Sequence, residues 1–177
     1  MLGTNDILRL FELLNEELKA SGSQGEIGIV GGAVMCLVFN ARVSTKDVDA
    51  IFEPSALIRR LADKIAIAEG LRSDWLNDGA KGFIQPGFMK QQVLMLSHLR
   101  VWAPDARYML AMKCISARWD SSDRDDVIFL IKYLALSASS QVISLIEDYY
   151  PKKSVPAKTT FFIEEVFDEL QKAARKS

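Results

Sequence analysis

Apolar positions recur every three or four residues between residues 5 and 19, where Ile7, Leu10, Phe11, Leu14 and Leu18 share one face. Asn15, Glu16 and Lys19 fall mostly off that face, and the spacing predicts an amphipathic helix. The turn-forming run Ser21-Gly22-Ser23-Gln24-Gly25 ends it, and Glu26 to Val30 then reads as a short strand. After Gly31-Gly32 the apolar stretch Ala33 to Phe39 predicts a helix behind a glycine turn. Asp47 to Glu53 places charged and apolar residues in turn, the signature of a strand with one polar edge. Pro54-Ser55 opens a further helix that runs to about Glu69 and closes on Gly70.

Residues 73–79 read as a loop or a single turn. Gln92 to Trp102 is expected as one strand or as the two arms of a hairpin, stopped by Pro104. The rest is helical in pattern: Asp105 to about Arg118, Asp123 to about Leu136, Ser139 to Tyr149, and residues 160–174. Ser122 with Asp125 three residues on looks like a capping box for the second of these. Residues 151–158 read as a Lys/Pro linker. Strands gather early and helices late, which predicts an α+β (or small α/β) domain with a helical C-terminal half. Residues 1–102 are expected to form the core, with 103–177 packed on it as one compact domain.

Composition narrows the function classes. Of 177 residues, 22 are Lys or Arg and 23 are Asp or Glu, a formal net charge of −1. That balance does not suit a protein whose main task is to neutralise duplex DNA, although a local basic pocket is compatible with it. The longest apolar stretch, Ile27 to Phe39, is 13 residues long, short of the roughly 20 that span a bilayer. No basic segment precedes an apolar one at the N-terminus, so no leader and a cytoplasmic location are expected. Cys36 and Cys114 lie in apolar helical patterns with no Cys or His nearby at metal-ligand spacing, and are read as buried free thiols.

The informative chemistry is Gly31-Gly32 followed, after fourteen residues, by Asp47-Val48-Asp49. Residues two apart on a strand share a face, so the two carboxylates are expected side by side, roughly 6–7 Å apart along the chain. Like charges at that separation call for a cation, and Mg²⁺ (or Mn²⁺) bridging them to phosphate oxygens is the natural occupant. Glycines at a helix start let backbone N–H groups come close to an anion. A nucleoside triphosphate on Gly31-Gly32 with its metal on Asp47 and Asp49 is therefore a coherent site.

A strand ending in Gly31-Gly32, a short helix, Arg42 and Thr45, then Asp47-Val48-Asp49 resembles the signature of the DNA-polymerase-β-like minimal nucleotidyltransferases. The likeness is to the bacterial branch related to abortive-infection and toxin nucleotidyltransferases. Asp74-Trp75-Leu76-Asn77-Asp78, Met112-Lys113 with Arg118, Asp123-Arg124-Asp125-Asp126, Tyr150-Pro151 and Ile163-Glu164-Glu165 are similar to later segments of such proteins. The resemblance implies the minimal nucleotidyltransferase fold, a small mixed sheet flanked by helices, and transfer of a nucleoside monophosphate from a triphosphate donor to an acceptor hydroxyl. It implies Asp47 and Asp49 as metal ligands and catalytic residues, Lys113 as a catalytic basic residue at the triphosphate, and Gly31 and Gly32 at the phosphates. Arg42, Lys46 and Arg118 are the remaining nucleotide-binding candidates, and Asp123 and Asp126 the supporting acids. An RNA or protein acceptor, and an antitoxin partner, are further implications.

Each of these residues also has a plainer reading. Lys113 sits among Met109, Leu110, Met112 and Ile115 and would serve equally as a snorkelling lysine, and Asp123 and Asp125 suit a first helical turn unaided. Asp126 is expected to pair with Arg118 or Lys113. His98 is read as a satisfied histidine on an apolar strand, and Trp75, Trp102 and Trp119 as core or lid aromatics. One departure stands out: Val93 to Val101, where many family members carry a third carboxylate, has His98 and Arg100 but no acid. Either the third ligand comes from elsewhere, with Asp74 and Asp78 as candidate sources, or the site binds one metal, or catalysis has been lost. The alternative is a catalytically degenerate module that binds nucleotide, or a partner, without transferring anything.

Overall fold

In the computed structural model, residues 1–116, 122–150 and 155–174 are described. The chain divides into two compact units, one of residues 1–82 and 90–104, the other of residues 83–89 and 105–177.

The first unit is built on a five-stranded mixed sheet. In chain order its elements are β1 (Leu2–Gly3), α1 (Thr4–Ala20), β2 (Gly25–Ile29), α2 (Gly31–Leu37), β3 (Ser44–Thr45), β4 (Val48–Glu53), α3 (Ser55–Glu69), β5 (Leu76–Asn77), a 3₁₀ turn (Gly79–Phe83), β6 (Lys90–Met95) and β7 (Leu99–Pro104). The strand order is β5-β4-β2-β7-β6, and β1 and β3 form a separate antiparallel pair. Strand β2 runs antiparallel to β4 and parallel to β7, β4 runs parallel to β5, and β6 and β7 make a hairpin. Alternation gives the sheet two unlike faces. Ile27, Ile29, Val48, Ala50, Phe52, Leu99, Val101 and Ala103 are buried on one, beneath α1 and α3. The other carries Glu26, Asp49, Glu53 and Arg100, together with Trp102, whose indole lies against Gly28 of β2.

The predicted face of α1 is the buried one: Ile7, Leu10, Phe11, Leu14 and Leu18 are at most 1% exposed. Asn15 is buried with them, contrary to expectation, because its Oδ1 accepts the His98 backbone N–H at 2.8 Å and so secures the β6–β7 turn. His98 itself sits in that turn and not on a strand, with Nδ1 3.0 Å from Ser97 Oγ. Gly70 ends α3 in the left-handed conformation at φ 64°, as a glycine C-cap should. The expected loop at 73–79 contributes strand β5, which the two-residue length hides from any periodicity argument.

The second unit contains α4 (Ala106–Ser116), α5 (Asp123–Tyr133), α6 (Ser139–Tyr149) and α7 (Ala157–Ala174). Its core includes Tyr108, Met109, Val127, Leu130, Val142, Ile146, Ile163 and Val166. Ser122 does not form the expected capping box: it has helical geometry at φ −60°, ψ 0°, and its side chain caps nothing. Helix α6 is started instead by Gln141, whose Oε1 accepts from Ser137 N at 2.8 Å and Ala138 N at 3.1 Å. Lys158, expected in the linker, lies in α7, while Pro151, Lys152 and Lys153 fall outside the described residues. The architecture is α+β with its strands in the first unit and a helical C-terminal half. Among the described residues no helix is long and apolar enough to cross a membrane.

Candidate functional site

Strand β2 ends at Ile29, and Val30 continues it by donating its N–H to Asp49 O at 2.9 Å. The chain then turns at Gly31, whose φ of 64° is costly for any residue with a Cβ. The turn brings the Gly31 backbone against the Asp49 carboxylate, so that a Cβ on Gly31 would stand 3.1 Å from Asp49 Oδ2. Gly32 is closer still to its neighbours. A Cβ there would be 2.3 Å from Thr45 Oγ1 and 3.6 Å from an Arg42 guanidinium nitrogen. Bare backbone at 31–32 thus faces a carboxylate, a buried threonine and an arginine supplied by the chain between α2 and β4.

Asp47 stands one residue before β4 and not within it, the strand beginning at Val48. Val48 is buried under the helices, so Asp47 and Asp49, which flank it and are partly exposed, turn away from the core. The Val48 N–H donates to Trp75 O at 2.6 Å, which carries residues 72–75 past the start of β4. The hydrogen bond from Arg72 lowers the Asp74 carboxyl, with the smallest help from exposed Lys46, and the same bond raises the Arg72 guanidinium, to which Asp47 adds least.

Asp74 and Asp78, the expected sources of a third carboxylate, are both engaged by arginines. Asp74 pairs with Arg72, and Asp78 with Arg59 at 2.9 Å, a bond that lowers the Asp78 carboxyl too. Strand β7 offers Arg100 and Trp102 on the face that Asp49 shares. Among the described residues no group of three His, Cys, Asp or Glu side chains is placed to hold a metal ion.

Lys113, Asp123 and Asp126 come together in the second unit. The Lys113 ammonium lies 2.6 Å from Asp123 Oδ1 and 2.8 Å from Asp126 Oδ2, with side-chain exposures of 7%, 21% and 2%. Lys113 is thus neither snorkelling nor solvated but the hub of a buried ion triad that ties α4 to α5, and Asp126 has the lysine partner expected of it. Arg118 and Trp119 lie outside the described residues. Trp75 and Trp102 are core aromatics, 2% and 8% exposed. Cys36 and Cys114 are both buried, and burial pushes the Cys114 thiol strongly up.

Of the residues singled out in the sequence, the first unit gathers Gly31, Gly32, Arg42, Lys46, Asp47 and Asp49 around the start of β4, and the second gathers Lys113, Asp123 and Asp126. Three neighbours escaped sequence reasoning as site residues. Thr45 is two residues from Asp47 and was visible as part of the same block, whereas Arg72 and Asn77 arrive through the pairing of β5 with β4, which no local signal announces. Compared with known proteins, the chain matches no family model, no curated protein and no solved structure.

Proposed function

We propose that this chain is a metal-dependent nucleotidyltransferase that moves a nucleoside monophosphate from a nucleoside triphosphate to an acceptor hydroxyl. The observation that carries the reading is the approach of bare Gly31 backbone to the Asp49 carboxylate, where a Cβ would stand 3.1 Å from Oδ2. Backbone without a Cβ at a helix start lets N–H groups come close to phosphate oxygens, with a carboxylate alongside for a shared cation. Two carboxylates, Asp47 and Asp49, make a hard oxygen donor set suited to Mg²⁺ or Mn²⁺. When bound, such an ion would offset phosphate charge and polarise the α-phosphorus. Arg42 beside Gly32 supplies positive charge for the phosphates, and Lys46 adds to it from the approach to β4. In the reaction a bond forms from the acceptor oxygen to the α-phosphorus, the bond to the β-phosphate bridging oxygen breaks, pyrophosphate leaves, and the hydroxyl proton passes to water. An RNA or protein acceptor and an antitoxin partner follow from the family resemblance alone.

The second reading, a module that binds nucleotide without transferring it, is favoured by one observation: among the described residues, the candidate third acids Asp74 and Asp78 are occupied by Arg72 and Arg59. The two readings share a binding site and differ in turnover. Incubation with α-³²P-labelled triphosphates and candidate acceptors is expected to label an acceptor and release pyrophosphate, and Asp47→Ala or Asp49→Ala to reduce this at least ~100-fold, as loss of a metal ligand does. Full activity in both variants would refute the transferase reading. Binding without pyrophosphate release across RNA, protein and small-molecule acceptors would favour the module.

A further inference from the structure

We draw no further inference here: the strongest candidate, the outer edge of strand β6 with exposed Met95 at its end and exposed Met89 just before its start, carries none because nothing in the structure shows what covers it.

Discussion

Gly31 and Gly32 are adjacent, yet they are glycine for different reasons, and the difference is measurable. At Gly31 the backbone conformation excludes most side chains, and a Cβ would press on Asp49 Oδ2; at Gly32 the backbone is ordinary, and the obstacle is Thr45 Oγ1. Gly31→Ala is expected to cost the left-handed penalty of about 1–2 kcal/mol. Gly22→Ala isolates that penalty, since Gly22 has φ +63° and nothing within 4 Å. Gly32→Ala should cost about 1–3 kcal/mol through overpacking, because the buried Thr45 must move. Urea denaturation of the three variants checks this, and a Gly32→Ala protein as stable as wild type would contradict the contact with Thr45. The two thiols give a second check at the same scale: Cys36 and Cys114 are each 2% exposed, and Cys114 is held protonated by burial. Neither should react with Ellman's reagent in the native state at pH 8, and both should react on unfolding. Gly-Gly and Asp-x-Asp were legible because each is a local pattern with its own chemistry. What their side chains meet was not, since Gly32 reaches Thr45 only after the chain has folded back through β3.

Among the elements, pairing between strands distant in sequence does the work that local pattern cannot announce. The amphipathic helix at 4–20 and the alternating strand at 48–53 follow from periodicity, and the buried face of α1 is the one the apolar spacing marks. Strand β5 has two residues, too few for a period, and only its pairing with β4 sets Asn77 opposite Asp49. Asn15 belongs to the same class: a polar residue by pattern, buried because a hairpin turn far along the chain needs an acceptor. In the helical unit the residue type was legible and the role was open. Lys113 is buried between Asp123 and Asp126, so replacing it removes a cation from a desolvated pair of carboxylates. Lys113→Met is expected to destabilise the protein by roughly 3 kcal/mol or more, whereas replacing all three residues with apolar ones of similar volume should recover much of the loss. Equilibrium unfolding of the single and triple variants decides this. A Lys113→Met protein of unchanged stability would remove the triad from the account of how α4 and α5 hold together.

For the whole molecule, chain order and unit order are not the same. The chain leaves the sheet unit at residue 83, supplies residues 83–89 to the helical unit, and returns to form β6 and β7. Side chains of the helical unit hold that excursion: Tyr108 Oη accepts from Gln85 N at 2.6 Å, Tyr150 Oη donates to Phe83 O at 2.7 Å, and Asp105 Oδ2 accepts from Met89 N at 3.1 Å. Nothing in residues 83–89 signals this, because the bonds are to backbone and carry no sequence pattern. Tyr108→Phe and Tyr150→Phe should each cost about 1 kcal/mol and raise hydrogen exchange in residues 83–89 selectively. Uniform exchange in both variants would contradict the assignment. In the sheet unit, the proposed binding place for a triphosphate with its metal is where Gly31 and Gly32 meet Asp49. The most direct measurement is thermal unfolding of wild type and Asp47→Asn with each of ATP, CTP, GTP and UTP, with and without Mg²⁺. Ligand at 100 times its dissociation constant stabilises the native state by about 2.7 kcal/mol, enough to move the midpoint by several degrees. The account predicts a Mg²⁺-dependent rise with at least one triphosphate in wild type and none in Asp47→Asn; a wild type unmoved by all four, or an Asp47→Asn protein that rises equally, would contradict it.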